Sequence, residues 1–483
     1  MNIYDIISND NSAKNQFFNL EKIFLFENSF FCNVNISFQF NENEFFCTVS
    51  ANGENEFIST ESANLKTHKT PQRAKSCALG KASYKLLNHF TGYTPPYGTL
   101  TGVHPVQMAV FYLKQGFSRS ETKEILLNEY FVKSDKADIL LHCADEEINV
   151  KSCLKKNTAF LYVSIPFCPT RCKYCSFISS AAPKHLELLN DYTTTLLTEI
   201  SLLFDVLSEN EIELPGIYIG GGTPSTLNAE QLFMLCDKLI KYPFLTQNFE
   251  FTVECGRPDT ITDEKLSALK ECKVNRISIN PQTKNNDVLK EIGRNHTYED
   301  FLKAYELARA YSFDCINTDL IAGLPKDTAD GFLESLKAML DLSPENITVH
   351  SFCKKKSADF TISDIHSNEI RLLPEIIKKA NDLCINKGYN PYYLYRQKNT
   401  AANLENIGYA KDGKLCLYNI AMMQDLCNVF SAGAGAISKI IPKNSLKTLR
   451  ISHDKYPFEY LKNTEKLKER IIKLNNILRN DDV

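Results

Sequence analysis

The sequence predicts an α/β protein built around a partial barrel of six βα units, preceded by a small N-terminal α+β domain and a helical bridge. From residue 158 onward, short apolar runs alternate with amphipathic helical segments, which is the rhythm of repeated βα units. Upstream, stretches rich in Phe, Val and Ile are separated by Asn and Gly, which indicates a small sheet. The predicted segments are 1–95 for the β-rich domain, 96–157 for the bridge, 158–360 for the barrel and 361–483 for a C-terminal extension.

Composition limits the function classes. The chain has 483 residues, 43% of them hydrophobic, which is enough for a large core and more than one domain. The formal charge of -3 gives no basic field for a nucleic-acid backbone, and no apolar run is long enough to span a bilayer. The start "MNIYDIISND" lacks the basic and apolar regions of a secretory signal, so a cytoplasmic location with reduced cysteines is expected.

In the N-terminal part, the segments 22–31, 31–40 and 44–53 have β-like patterns. Residues 71–91 have helical spacing, and Gly92 follows as an end signal. In the bridge, Ser118 is placed to cap a helix, with Glu121 completing a capping box.

The predicted barrel strands share an apolar core and end in polar residues or glycine. They are "AFLYVSI", "GIYIG", "FEFTVE", "NRISIN", "INTDLIA" and "NITVHSF". Six parallel strands joined by right-handed crossovers form a partial barrel or an open curved sheet, and either architecture presents functional groups at the carboxyl ends of the strands. Beyond them, residues 365–388 and 456–480 are each predicted to form one helix.

Three cysteines, Cys168, Cys172 and Cys175, follow the first barrel strand in "CPTRCKYC". A disulfide would leave one thiol over and does not suit a reducing compartment. Structural zinc normally takes four ligands, and no second cysteine pair follows. A 4Fe-4S cluster held by three thiolates fits better, and it leaves one iron open for a small molecule.

The C-x3-C-x2-C spacing, with Tyr174 directly before the last cysteine, resembles the radical S-adenosylmethionine (SAM) superfamily. The resemblance implies that the three cysteines hold the cluster and that SAM binds its open iron. An electron from the cluster then cleaves SAM and yields a 5′-deoxyadenosyl radical, which abstracts a hydrogen atom. It also places Tyr162 and Tyr174 beside these cofactors. Such a radical needs a pocket that excludes water.

Further motifs stand at successive strand ends. By resemblance, Gly221, Gly222 and Thr223 of "GGGTPS" hold the methionyl end of SAM, although a tight βα turn is the alternative. Glu254 would accept ribose or ammonium hydrogen bonds, or be an ordinary charge at a helix start.

The motifs "YVSIPFC", "GGGTP", "RISINPQT", "LKEIGRNH" and "TDLIAGLP", in this order, resemble the oxygen-independent coproporphyrinogen III oxidase family and its haem-chaperone relatives. The resemblance places Gln282, Arg294 and Asp319 at positions that contact the adenosyl group or a second SAM. Taken singly, each of the three could be structural.

The segments "YGTLTGVHPVQMA", "YYLYRQKNTAANLENIGYA" and "SAGAGAISK" resemble the HemZ-type coproporphyrinogen dehydrogenase branch, from about residue 70 to 445. The resemblance implies a tetrapyrrole substrate, oxidative decarboxylation of coproporphyrinogen III to protoporphyrinogen IX, and an electron donor such as flavodoxin or ferredoxin. It also implies an oxygen-sensitive cluster.

The substrate of that branch carries four carboxylates, for which Arg and Tyr donors are suited. Tyr393, Tyr395 and Arg396 of "YLYRQKN", in the extension on the substrate side, are the predicted contacts. An edge strand with a solvated Arg is the alternative. The Lys run 353–357 is interpreted as a solvated turn.

Three other functions remain open. A haem chaperone would share the cluster motif, and Phe177 after the last cysteine occurs in that branch, but the branch carries a C-terminal Tyr-Trp signature and this chain has no Trp. A radical SAM enzyme acting on another tetrapyrrole would share the cluster and SAM residues. A purely structural iron-sulfur protein would not need the glycine motif, Glu254 and Gln282 at consecutive strand ends.

Overall fold

The computed structural model describes residues 5–24, 33–52, 56–175, 187–353, 367–397, 400, 403–442 and 448–479. Residue contacts divide them into two units. The first holds the described residues up to Asp145, with those in 394–398 and 402–404, and the second holds the remainder.

The first unit contains a four-stranded sheet in the order β1-β2-β3-β4. Its strands are β1 (Asp5–Ile7), β2 (Asn33–Asn41), β3 (Glu44–Asn52) and β4 (Phe57–Asn64). The first pair is parallel and the other two pairs are antiparallel. Its helices are α1 (Asn11–Glu21), α2 (Leu65–His68), α3 (Pro71–Thr91), α4 (Val106–Lys114) and α5 (Arg119–Asn128), and α6 (Ser134–Cys153) continues into the second unit.

Two local predictions are confirmed in this unit. Helix α3 packs on β3 and β4 and ends where Gly92 takes a left-handed conformation with φ +65°. Helix α5 starts with the predicted capping box between Ser118 and Glu121. The strand predicted at 22–31 is wrong for residues 22–24, since the N–H groups of Lys22 and Ile23 bond back to the end of α1. The rest of that segment lies outside the described residues.

A partly buried ion-pair network joins helix α3 to the end of α5. Glu129 accepts hydrogen bonds from Lys81 Nζ at 3.1 Å and His68 Nε2 at 3.4 Å, and Cys77 Sγ lies 3.7 Å away. Burial alone would raise the pKa of Glu129, but His68 and Lys81 lower it to about 2. The Lys81 ammonium neutralises the Glu129 carboxylate. We therefore interpret this group of side chains as a structural ion pair.

The second unit is built on the barrel strands. They are β5 (Thr158–Ile165), β6 (Glu213–Gly221), β7 (Leu245–Glu254), β8 (Arg276–Ser278), β9 (Cys315–Ala322) and β10 (Asn346–Ser351). All six pair in parallel, in chain order, at the positions predicted from the sequence. The predicted fold class is therefore confirmed.

The C-terminal part extends this sheet at both edges. Its strands are β11 (Asn390–Arg396), β12 (Glu405–Ala410), β13 (Asn428–Ala432), β14 (Ile437–Ile440) and β15 (Leu449–Ser452). Strand β12 is antiparallel to β10, whereas β13 is parallel to β5 and continues into β14 and β15. The described sheet thus has eleven strands. Strand β11 lies at its edge, where the sequence analysis gave an edge strand as the alternative, and β12 to β15 were not predicted.

Helices follow the barrel strands and cover the sheet. They are α7 (Leu189–Glu209), α8 (Ala229–Ile240), α9 (Asp263–Glu271), α10 (Asn286–Glu291), α11 (Tyr298–Ala310), α12 (Ala329–Leu342), α13 (Ser367–Asn386), α14 (Leu417–Gln424), α15 (Pro457–Lys462) and α16 (Thr464–Arg479). The single helix predicted over 456–480 is wrong, because Asn463 leaves helical geometry and separates α15 from α16. Across the described ranges, no helix combines the length and apolar character that crossing a bilayer requires.

A buried carboxylate anchors the C-terminal helices on α7. Glu199, 0% exposed, accepts hydrogen bonds from Tyr460 OH at 2.6 Å, His453 Nε2 at 2.8 Å and the Gly433 N–H at 2.9 Å. Arg470 Nη2 lies 3.3 Å from the same group. This network fixes the β13–β14 turn against the carboxyl end of β5, where the cysteine loop begins.

Candidate active site

The three predicted cluster cysteines lie on one short loop after β5. Cys172 is buried, Cys168 and Cys175 are half-buried, and the Cys175 N–H donates to the Cys172 carbonyl at 3.1 Å. The Lys173 N–H donates to the Ile292 carbonyl at 3.0 Å, which ties the loop to the end of α10. Among the described residues no two cysteines form a disulfide.

The glycine loop after β6 packs directly on the cysteine loop. The N–H groups of Gly222 and Thr223 donate to the carbonyls of Ile165 and Phe167, at 2.9 and 2.7 Å. Thr223 Oγ1 lies 3.3 Å from Cys168 Sγ. A Cβ at position 222 would stand 2.5 Å from the Phe167 carbonyl oxygen, so this close approach requires glycine. The structure therefore brings together the two motifs that the sequence placed at neighbouring strand ends.

Glu254, at the end of β7, faces Tyr218 on β6. Tyr218 donates a hydrogen bond to Glu254 Oε1 at 2.5 Å. Burial raises the pKa of Glu254 to about 7, with a further contribution from Asp319, although the bond from Tyr218 opposes the shift. The carboxyl therefore changes its charge near neutral pH.

Gln282 and Asp319 are held together through backbone and side-chain bonds. The Gln282 N–H donates to the Asp319 carbonyl at 3.0 Å, and Gln282 has a left-handed backbone with φ +67°. Asn280 Nδ2 donates to Asp319 Oδ2 at 2.9 Å, and His350 Nε2 lies 3.6 Å from the same oxygen. Burial alone would raise the pKa of Asp319, but His350 and Asn317 hold it below its usual range.

The Gln282 side chain carries an unsatisfied acceptor. Gln282 is 5% exposed, and its Oε1 has no hydrogen-bond partner among the described residues. A buried polar atom without a partner is costly, and a bound ligand is one way to satisfy it. This atom fits the predicted contact between Gln282 and SAM.

Arg294 reaches from the loop after α10 to the cysteine loop. It donates to Tyr174 OH at 3.0 Å and to the carbonyls of Gly256 and Asn280 at 2.9 and 3.0 Å. Burial raises the pKa of Tyr174, so its hydroxyl keeps its proton and accepts from Arg294. Two of the predicted cofactor residues are thus in direct contact.

Tyr162 belongs to an aromatic stack among the barrel strands. Its ring lies 6.3 Å from that of Tyr218 and 6.0 Å from that of Tyr418, and Tyr218 and Tyr418 stack at 4.3 Å. Burial raises the pKa of all three hydroxyls, so they remain neutral. Tyr418 comes from helix α14, far along the chain, and nothing in the sequence pattern pointed to it.

Arg257 is a site residue that the sequence analysis missed. Its Nη1 lies 3.7 Å from Cys172 Sγ, and its guanidinium also bonds Thr170 on the cysteine loop. The residue stands three positions after the strand-end Glu254, so a search for cations near strand ends would have found it. The same search, extended to all polar residues, would have found Asn280 and His350.

The predicted substrate residues lie on β11. Tyr393 is buried, and a Cβ on Gly408 would overlap its ring, so the two strands pack tightly there. Arg396 is 6% exposed, donates to the carbonyls of Leu100 at 2.5 Å and Asn403 at 3.1 Å, and lies over the Tyr97 ring. These contacts differ from those of a solvated arginine. The assignment of Tyr393, Tyr395 and Arg396 to substrate stays a prediction.

Comparison with known proteins decides the family. The Radical SAM superfamily model matches residues 162–339. The chain is 35% identical, over 80% of its length and 78% of the relative, to the oxygen-independent coproporphyrinogen-III oxidase-like protein HemZ of Bacillus subtilis. The chain belongs to the HemZ family of radical SAM proteins. As a member of that superfamily it is an enzyme that uses a 4Fe-4S cluster and SAM.

This HemZ-family chain is also similar to a heme chaperone and to a solved coproporphyrinogen III oxidase. The heme chaperone HemW of Haemophilus influenzae is 28% identical over 62% of this chain and 75% of that protein. The solved coproporphyrinogen III oxidase HemN of Escherichia coli has the same fold, with a TM-score of 0.51 and 21% identity over 66% of this chain and 72% of that one.

The residues present fit the cofactors of the family. Three thiols on one loop form a donor set for three irons. The glycine loop packs directly beside them, and Gln282 Oε1 offers an unsatisfied acceptor. Cys168, Cys172 and Cys175 would hold the cluster, and the Gly221–Thr223 loop, Glu254, Gln282, Arg294 and Asp319 would hold SAM.

Proposed function

We propose that this protein catalyses the oxygen-independent oxidative decarboxylation of coproporphyrinogen III to protoporphyrinogen IX in porphyrin biosynthesis. For each of two propionates, one hydrogen atom, one carbon dioxide and one electron leave, and a vinyl group remains. The electron passes to a one-electron acceptor. The observation that carries the proposal is the similarity to the HemZ relative over four-fifths of the chain, together with a three-thiol loop at the carboxyl end of the strands.

Radical chemistry suits this substrate. A propionate β-hydrogen is too weakly acidic for a protein base, and the cluster and SAM, when bound, supply hydrogen-atom abstraction instead. The chain's own part is to hold these groups in a site shielded from water. The buried Thr223 and Arg294, which contact the cysteine loop, meet that requirement.

The test is mass spectrometry of an anaerobic mixture of reconstituted protein, SAM, a strong reductant, coproporphyrinogen III and an electron acceptor. We expect 5′-deoxyadenosine together with a tetrapyrrole lighter by two carboxyl losses. Cys172→Ala should abolish both products, whereas Cys153→Ala, at an exposed position on α6, should form both. Formation of 5′-deoxyadenosine with an intact tetrapyrrole would show that the proposed substrate is wrong.

Arg396 is proposed to bind a substrate propionate, and its contacts shape the experiment. Because its guanidinium also bonds two backbone carbonyls, Arg396→Ala should lower stability whatever its role. Substrate affinity must therefore be measured on protein shown to be folded by circular dichroism. Unchanged affinity for coproporphyrinogen III in the folded variant would contradict the assignment.

A haem-binding chaperone is the second candidate, favoured by the similarity to HemW relatives over about half or more of the chain. A chaperone would bind haem and leave coproporphyrinogen III unchanged. The same reaction mixture, with a parallel haem titration by absorbance, distinguishes the two functions.

A further inference from the structure

Arg257 places a buried positive charge against one of the cluster cysteines. The residue is 3% exposed, and its Nη1 lies 3.7 Å from Cys172 Sγ. The same nitrogen donates to the Thr170 carbonyl at 3.2 Å, and Nη2 donates to Thr170 Oγ1 at 2.9 Å. The guanidinium therefore binds the part of the loop that lies between the first and second cysteines.

Asp259 fixes the orientation of this guanidinium. Its two oxygens accept from Arg257 Nε and Nη2, each at 3.0 Å, in the bidentate geometry that holds an arginine plane rigidly. The two residues flank Pro258 in a short 3-10 turn that runs from Pro258 to Thr260. The Asp259 side chain is 25% exposed and that of Arg257 is 3% exposed, so water screens the negative partner more than the positive one.

From this geometry we infer that Arg257 stabilises the reduced form of the cluster by donating to the Cys172 sulfur and so raises its reduction potential. On reduction, one electron passes from a low-potential one-electron donor to the cluster, and no proton or covalent bond changes place. The cluster and its thiolates gain one negative charge, which a nearby buried cation stabilises. Hydrogen bonds to cluster sulfurs and local net charge set iron-sulfur potentials in general.

Arg257 is thus a positioning residue with an electrostatic effect. The inference rests on the cluster that the family uses and not on the proposed substrate. A failed decarboxylation assay would leave it standing, and the test below uses no tetrapyrrole.

The experiment is a potentiometric titration of the full-length reconstituted protein, followed by electron paramagnetic resonance, with iron content measured alongside. Arg257→Gln should shift the midpoint potential to more negative values. Asp259→Asn should shift it to more positive values, because the Arg257 charge is then less neutralised. Arg257→Lys, which keeps the charge, should lie between wild type and Arg257→Gln.

Arg309→Gln is the matched control. Arg309 on α11 is also paired with a carboxylate, since its Nη1 donates to both oxygens of Glu345 at 2.9 Å. Glu345 directly precedes β10, at the opposite end of that strand from the site, so loss of the Arg309 charge should leave the potential unchanged. A purely structural role for Arg257 predicts that Arg257→Gln and Asp259→Asn both lose iron without opposite shifts in potential. Equal potentials in wild type and Arg257→Gln, or shifts of the same sign in the two variants, would overturn the inference. If Arg257→Gln holds no iron, the midpoint potentials of Arg257→Lys and Asp259→Asn test the inference instead.

Discussion

Single atoms decide how closely the loops of the site approach one another. The Gly222 backbone lies so close to Phe167 that no side chain fits, and Phe167 directly precedes Cys168. Glu254 has its carboxyl buried beside Tyr218, which moves its titration to the neutral range. Both residues therefore give sharp tests of the proposed SAM site.

Gly222→Ala should disrupt cofactor binding. The added Cβ would meet the Phe167 backbone at 2.5–2.9 Å, and pushing the two loops apart should cost about 1–3 kcal/mol. We expect SAM affinity, measured by isothermal titration on anaerobic protein, to fall at least tenfold. Gly102→Ala is the control, because nothing lies within 4 Å of its Cβ position. Equal SAM affinity in the two variants would contradict the role of the glycine loop.

Glu254 should make SAM affinity depend on pH. Its pKa in the folded protein is about 7, above the ordinary 4.5, so the carboxylate form that accepts hydrogen bonds appears only as the pH rises through 7. SAM itself also titrates, so the useful quantity is the ratio of wild-type to Glu254→Gln affinity. This ratio should rise about tenfold between pH 6 and pH 8. A constant ratio would show that Glu254 does not bind SAM through its charge.

At the scale of elements, the carboxyl end of β5 depends on partners from the far end of the chain. Tyr192 on α7 donates to the Ser164 carbonyl at 2.8 Å and accepts from the Ala434 N–H at 2.9 Å. Glu199, two turns further along α7, holds Gly433, His453 and Tyr460. The last helices are therefore part of the support of the cysteine loop.

Glu199→Gln should destabilise the second unit by about 3 kcal/mol, because it leaves the buried Arg470 without its charged partner. Burial raises the pKa of Glu199, but His453 and Arg470 lower it below 4.5 overall. The contribution of Glu199 to the free energy of unfolding is therefore complete above pH 4.5, and it is lost as the pH falls through the pKa that Glu199 has in the folded protein. Urea unfolding of wild type and Glu199→Gln at pH 7 and pH 4 measures the difference in unfolding free energy and its dependence on pH.

The control for this prediction is Glu209→Gln, on the same helix. Glu209 pairs with Arg479 at the surface, where an ion pair contributes little. A loss of stability in Glu209→Gln equal to that in Glu199→Gln would contradict the anchoring role of Glu199.

For the whole molecule, the iron-sulfur cluster should be the part of the protein that is most sensitive to oxygen. Anaerobically reconstituted protein should hold about four irons, and each of Cys168→Ala, Cys172→Ala and Cys175→Ala should lose most of them. Cys153→Ala should retain the full content. Exposure to air should release iron from wild type, since one iron has no protein ligand. A colorimetric iron assay before and after aeration is the measurement, and full retention after prolonged aeration would contradict the prediction.

Much of the barrel could be predicted because its signals are local. Each strand from β5 to β10 is a short apolar run between turn residues, and the cysteines lie within one loop. The rule that parallel strands present their carboxyl ends together then predicted one site from separate motifs. Strands β12 to β15 were missed, since they lie outside the six βα units that the sequence pattern indicated. Strand β13 takes its place in the sheet by pairing with β5, far earlier in the chain, and with β14.

The sequence by itself determined the six βα units, the three-thiol loop and the order of motifs at the strand ends, since periodicity and spacing record which residues are buried and which lie close along the chain. The tertiary structure alone decided which side chains from distant parts of the chain contact one another. Arg257 contacts Cys172, which is 85 residues away along the sequence, and His453 contacts Glu199, which is 254 residues away. Burial periodicity shows that a side chain turns inward but not what it meets there, because that depends on how distant segments pack.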